Sequence, residues 1–307
     1  MDALLVLEQT LNGVQFGVFL FLVSAGLTLV FGIMNFVNLA HGSLYMVGAY
    51  YAATIYGITG SFLMGLVIIV PACLITGVLL ELAVVRPLYR RDHLDQVLVT
   101  FGLILFFNEA VRMIWGPAAL FMPQPEGLTG HLEIIPDAPY PVYRLVIIGV
   151  GLLIALFLFL LITKTRIGML IRAGASNRPM VGALGINITN LYTKVFGLGA
   201  VLAGIAGLMA APVLSVQSGM GEEMLILAFV VIVIGGIGSI RGAFVASIIV
   251  GIVDTLGRTS IPVLLKVFVS QTASQTAGPA LASMLIYVLM AAVLFFRPSG
   301  LFAARTG

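Results

Sequence analysis

Long apolar runs, rather than strict alternation or a narrow helical stripe, organise this sequence. Residues 14–34, 61–85, 97–114, 142–163, 191–216 and 281–296 read as membrane spans. A bilayer core about 30 Å thick takes roughly 20 residues of α-helix at a rise of 1.5 Å each. Three shorter apolar segments, 44–58, 224–234 and 243–256, bring the expected count to eight or nine. The last two are separated only by Gly235-Gly236-Ile237-Gly238-Ser239-Ile240-Arg241-Gly242. Short hydrophobic segments interrupted by glycine are the pattern of broken helices beside a transport pathway. The pattern therefore predicts an all-α polytopic membrane protein with a single transmembrane domain over residues 1–307.

Composition reinforces this. Of the residues, 61% are hydrophobic and 9% charged, with a mean hydropathy of +1.17; a soluble domain carries about a quarter charged residues. A water-soluble globule and a disordered chain are excluded, and Cys73, the single cysteine, excludes a disulfide scaffold. The net charge of +3 informs topology rather than partners. Basic residues gather at Arg86, Arg90 and Arg91, at Lys164, Arg166, Arg172, Arg178 and Lys194, and at Arg297 and Arg305, while residues 116–141 have none. The positive-inside rule then puts the 116–141 loop and the N terminus outside and the C terminus inside. Nine crossings satisfy that parity; eight require a re-entrant segment near Gly235. Arg258 and Lys266 fall outside, against the rule. The start Met1-Asp2-Ala3-Leu4 lacks the basic region of a secretory signal, so the first span is expected to remain as an anchor.

Trp115, Tyr140, Tyr143, Tyr89 and Tyr192 fall near the span ends and fit an aromatic belt at the headgroups. Pro117, Pro123, Pro125, Glu126, Glu133, Pro136, Asp137, Pro139 and Pro141 mark the outer loop as irregular and solvated. Small residues recur four apart at Gly13 and Gly17, Ser24 and Thr28, Ala203 and Gly207, and Ala243, Ser247 and Gly251. That spacing lets helix backbones approach closely in a setting where hydrophobicity does not drive helices together.

Enzymatic chemistry has little support. None of Lys164, Lys194 or Lys266 follows a glycine, which excludes a Walker A loop, and the Gly235 region lacks the dinucleotide-binding glycine spacing. His41, His93 and His131 lie on separate segments without cysteine pairs, so no metal site is expected. An ion-coupled carrier would place a charged residue deep in the membrane. Here Glu109 precedes Arg112 by three residues, Asp254 precedes Arg258 by four, and Glu81 lies near the basic inner loop. These acids read as structural pairs or snorkelling groups before they read as proton or sodium sites.

Two polar segments stand out. The first is Asn35-Phe36-Val37-Asn38-Leu39-Ala40-His41-Gly42-Ser43, between the first long span and a short one. Asn38 or Ser43 can cap the following helix, and a helix break of this kind also exposes hydrogen-bonding groups toward a central path. His41 alone reads as a hydrogen-bonded packing residue more than as a gate. The second, Arg172 to Asn187, is rich in alanine and glycine, is divided by Pro179, and fits two short helices around a turn. At about 27 residues, the connection 164–190 exceeds the usual helix-to-helix link, which suggests an inner docking element.

At these residues the sequence resembles the inner-membrane permeases of branched-chain amino acid ABC importers, specifically the LivH-type subunit, over nearly its whole length. The resemblance is carried by Phe31 to Ser43, by Arg172-Ala173, Asn177, Ala183 and Gly185-Ile186, and by Gly235 to Ala243. It implies a permease domain with a cytoplasmic coupling loop at about 164–190 and a periplasmic loop at about 116–141. Arg172, Ala173, Ala175, Asn177, Ala183, Gly185 and Ile186 would couple to an ATPase. Asn35, Asn38, His41, Ser43, Gly235, Gly236, Gly238 and Ser239 would flank the translocation path. The implied partners are a LivM-like second permease, two cytoplasmic ATPases that bind the ATP, and a periplasmic binding protein. No cofactor is expected in this chain. Arg172-Ala173 stands where many ABC permeases carry Glu-Ala-Ala. Related permeases carry urea or short amides, so the substrate stays open between these and branched-chain amino acids.

Overall fold

The computed structural model describes residues 3–135 and 138–302; Met1, Asp2, Pro136, Asp137 and Arg305 lie outside the described residues. The chain runs through α1 (Ala3–Met34), α2 (His41–Thr59), α3 (Phe62–Leu80), a π-helical turn (Glu81–Val85), α4 (Arg86–Leu88) and α5 (His93–Trp115). A two-stranded antiparallel hairpin, β1 (His131–Ile135) with β2 (Ala138–Pro141), follows. Then come α6 (Val142–Lys164), α7 (Arg166–Ser176), α8 (Arg178–Ala183), α9 (Ile188–Ala210), α10 (Met220–Gly235), α11 (Ile240–Leu265) and α12 (Gln271–Phe296).

Among the described residues, seven helical stretches are long and apolar enough to cross a membrane, against the eight or nine expected. The difference lies in α2 and α10. Helix α10 has 16 residues, and α2 has 19 but carries His41, Ser43 and several tyrosines and threonines. The third short segment lengthens into the 26 residues of α11, because Ser239 caps it by accepting from the Gly242 N–H at 3.1 Å. Helix α12 starts ten residues before the apolar run, at Gln271, because Ser270 accepts from the Ala273 N–H. The outer loop, expected to be irregular, contains the β1–β2 hairpin.

Helix α1 is the hub and packs most extensively on α11, while α2 and α3 pack on α9. The small-residue pattern explains how. A Cβ on Gly13 would sit 2.7 Å from the Ile252 Cα, and one on Gly17 would sit 2.7 Å from the Ser247 carbonyl oxygen. Gly48 meets Gly204, and Gly207 meets the Tyr45–Ala49 backbone, equally closely. The predicted seams at Gly13 and Gly17, at Gly207, and at Ser247 and Gly251 are thus backbone-to-backbone contacts.

The aromatic belt needs correction. Tyr140 and Tyr143 are 1% and 0% exposed, and Tyr192 is 8%. Their hydroxyls find protein partners instead of headgroups: Tyr143 donates to the Met209 carbonyl at 3.0 Å and Tyr140 to Asn12 Oδ1 at 3.2 Å. Trp115 donates to Thr54 Oγ1 at 2.6 Å and stacks against Tyr50.

The acids behave as expected. Arg112 pairs with Glu109 at 3.0 Å and Arg258 with Asp254 at 2.9 Å. Glu81, fully buried, receives Arg86 through both Nε and Nη2, and also accepts from Tyr89 at 2.7 Å and Thr193 at 3.0 Å. This network ties the end of α3 and α4 to α9 at the π-turn. Burial and the adjacent Glu81 carboxylate push the Tyr89 hydroxyl above the ordinary phenol range.

Candidate functional site

Two structural breaks lie next to each other, since a Cβ on Gly32 at the end of α1 would sit 2.8 Å from the Gly238 Cα. At the first, Asn35 takes a left-handed conformation (φ 50°) between the end of α1 and the start of α2. Neither Asn38 nor Ser43 caps that helix. The N-cap is Ala40, and Asn38 Oδ1 instead accepts from the Ala40 N–H at 3.1 Å, two residues on. Asn38, His41 and Ser43 are all buried. His41 Nε2 lies 3.1 Å from the Val23 carbonyl oxygen, which is the packing role expected for it. Two buried polar atoms in this neighbourhood have no hydrogen-bond partner among the described residues: Asn38 Nδ2 and the Tyr45 hydroxyl oxygen.

The second break is the turn between α10 and α11, where Gly236 (φ 99°) and Gly238 (φ 80°) adopt conformations that disfavour a side chain. Its two halves differ. Gly235 and Gly236 are covered by the C-terminal segment, since Leu301 N–H donates to Ile234 O at 2.8 Å and Phe302 N–H to Gly235 O at 3.0 Å. Gly238 and Ser239 instead line a cavity of about 870 Å³ together with Asn35. Of the eight path candidates, the structure therefore brings three into one open space, buries three at the start of α2, and packs two under the C-terminal segment.

The same cavity is walled by α1, α6, α7 and α11 and includes Arg172 and Ala175 from the coupling set. The expected pair of short helices is present. Thr165 caps α7 by accepting from Gly168 N–H at 3.1 Å, and Asn177 caps α8 by accepting from Met180 N–H at 3.0 Å, with Pro179 in its first turn. Gly168, Ile171, Gly174 and Val181 face inward; Ala175, Asn177, Ala183 and Gly185 are exposed. Ala173 and Ile186 are half-buried, and Gly185 closes the pair at φ 83°.

Several residues escape a reading of the sequence. Met180 and Leu184 are 59% and 73% exposed at the tip of the α8 turn. The legible signal was an apolar residue on each side of a polar, alanine-rich turn. Glu222 and Glu223 open α10; Asn108 on α5 donates to Glu222 and accepts from the Gly219 N–H at 3.2 Å. Asn108 lies seven residues before the end of α5, about 10 Å along the helix, so α10 starts inside the bundle instead of at its rim. Only the acidic pair hinted at this.

Helices that start and stop inside a bundle of membrane-long helices, beside a short capped helix pair, define a polytopic membrane protein of the transporter class. Comparison with known proteins is more specific. Residues 9–294 match the family model described as the branched-chain amino acid transport system / permease component, and the chain belongs to that family. It is 28% identical over 307 residues to the high-affinity branched-chain amino acid transport system permease protein BraD of Pseudomonas aeruginosa, spanning 96% of this chain and 95% of that one. It is 30% identical to LivH of Escherichia coli K12 over 81% and 85% of the two chains. A probable branched-chain amino acid permease protein LivH from Methanocaldococcus jannaschii is 28% identical over 77% and 76%. No solved structure matches. The chain is thus a permease component of an ABC transporter, a multi-pass inner-membrane protein in bacteria, and not an enzyme.

Proposed function

We propose that this chain is one permease subunit of an ABC importer that moves branched-chain or related hydrophobic amino acids inward by alternating access. The observation that carries the proposal is the α7–α8 pair: a capped, amphipathic elbow with bare Met180 and Leu184, on a member of a permease family. In this reading two ATPase subunits bind ATP and seat that elbow in a groove, a LivM-like permease supplies the other half of the path, and a periplasmic binding protein delivers substrate. The N terminus lies outside and the elbow inside. ATP-driven displacement of α7 reaches the α10–α11 turn across the shared cavity, whose lining joins Arg172 and Ala175 to Gly238 and Ser239.

The turns at Asn35 to Ser43 and Gly235 to Ser239 flank the path. The unpaired Asn38 Nδ2 and Tyr45 hydroxyl give it neutral polar groups, which suit a zwitterion that has to be released as well as accepted. Uptake of radiolabelled leucine into membrane vesicles tests this. Gly238→Leu and Asn38→Leu should lower uptake strongly in complexes that assemble normally, and unchanged uptake would remove both positions from the path. Competition by unlabelled urea or acetamide instead of isoleucine and valine would reassign the substrate. Cysteines at Ala175 and Ala183 should crosslink to the ATPase; an assembled complex without adducts would reject the docking.

A further inference from the structure

The cavity that Asn35, Gly238 and Ser239 share with α6 and α7 has an apolar lining that the proposed path does not account for. Its walls are mostly aliphatic and aromatic, including Leu158, Phe159, Phe244 and Val245. It opens beside a surface already suited to lipid: Leu153, Phe157 and Leu160 of α6 are 67%, 51% and 44% exposed. An apolar recess in such a surface favours hydrocarbon, because burying apolar surface away from water is favourable. Its lining also includes two guanidinium groups, Arg172 of α7 and Arg241 of α11. Neither has a carboxylate partner among the described residues, and no acidic side chain lines the cavity. The Arg241 guanidinium lies 5.1 Å over the Phe159 ring, which holds its charge across the gap between α11 and α6. Ser176 and Ser239 add hydroxyl groups to the same lining.

Guanidinium groups without a carboxylate partner at the edge of an apolar recess suit an anion, and phosphate in particular. A volume of about 870 Å³ also falls within the range of about 300–1,000 Å³ that ligand pockets occupy. We infer that the cavity holds one anionic phospholipid, its acyl chains along α6 and α11 and its phosphate between Arg172 and Arg241. Basic recesses between transmembrane helices take such headgroups by the same chemistry. This lipid would wedge α7 against the α10–α11 turn, so its presence would set how firmly the elbow and the helix break move together.

Native mass spectrometry of the purified full chain, delipidated and then titrated with phosphatidylglycerol or phosphatidylcholine, tests the inference. The chain should retain one phosphatidylglycerol about tenfold more tightly than phosphatidylcholine. Arg241→Gln should abolish that preference, Arg241→Lys should keep part of it, and Ala155→Trp should exclude both lipids by filling the apolar end. Thermal midpoints measured alongside separate lipid loss from unfolding. Equal retention of the two lipids, or an unchanged preference in Arg241→Gln, would overturn the inference. So would stabilisation by inorganic phosphate alone to the same extent, which would assign the site to a soluble anion. A cysteine at Val245 that crosslinks to the partner permease in the assembled transporter would overturn it too, since protein would then cover the recess. None of these readouts depends on which solute is transported.

Discussion

Replacing Met180 and Leu184 together by alanine should weaken ATPase binding by about two orders of magnitude while leaving the permease fold intact. The magnitude follows from exposure. Full burial of a Leu or Met side chain contributes about 1.5–3 kcal/mol. With 59% and 73% of these residues bare, seating both in a partner's groove adds about 1–2 kcal/mol each. Their sum of about 3 kcal/mol is a factor of roughly 100 in Kd. The fold should tolerate the change because the inward face of the elbow is Ile171, Gly174 and Val181, not the tip. Kd would be measured by microscale thermophoresis between the detergent-solubilised permease and its ATPase, with the permease Tm taken in parallel. Val181→Asp serves as the contrasting variant: Val181 is 4% exposed, so its loss should lower Tm. Wild-type affinity in the double alanine variant would refute the reasoning and leave the exposed tip unexplained.

Other perturbations have defined outcomes. Gly221→Ala should abolish folded protein in a detergent size-exclusion assay, because a Cβ there runs into the Gly42 backbone, whereas Gly57→Ala, with open space around it, should leave the profile unchanged. Glu81→Ala should lower Tm more than Glu81→Gln, since it leaves the Tyr89 hydroxyl without its acceptor, a loss of about 1–3 kcal/mol for a buried donor. Asn108→Leu should destabilise the start of α10, which relies on that side chain for both Gly219 N–H and Glu222; limited proteolysis between α9 and α10 should accelerate several-fold.

What the sequence made legible was local or periodic. Glu109 with Arg112 and Asp254 with Arg258 sit at helical spacing, so their pairing needs no tertiary knowledge. Gly13 and Gly17 on α1 and Ser247 and Gly251 on α11 carry the close-packing signature in each helix alone, and the structure joins them. The helix-turn-helix elbow follows from Pro179 and Asn177. What was not legible depends on partners far along the chain. Tyr143 turns inward because Met209, 66 residues away, offers a carbonyl. Asn38 does not cap α2 because its side chain is spent two residues on. Within the candidate site, Gly235 and Gly238 look alike in sequence, yet only the C-terminal segment decides that one is covered while the other lines a cavity.

In the proposed function this chain is a permease half without a motor, moved by an ATPase through the α7–α8 elbow. Reconstitution in sealed liposomes tests it most directly, with leucine accumulation followed first for the purified chain under imposed proton and sodium gradients, then after adding a partner permease, ATPases, binding protein and ATP. The account predicts accumulation only in the complete, ATP-supplied system. Concentrative uptake by the chain alone, driven by either gradient, would contradict it.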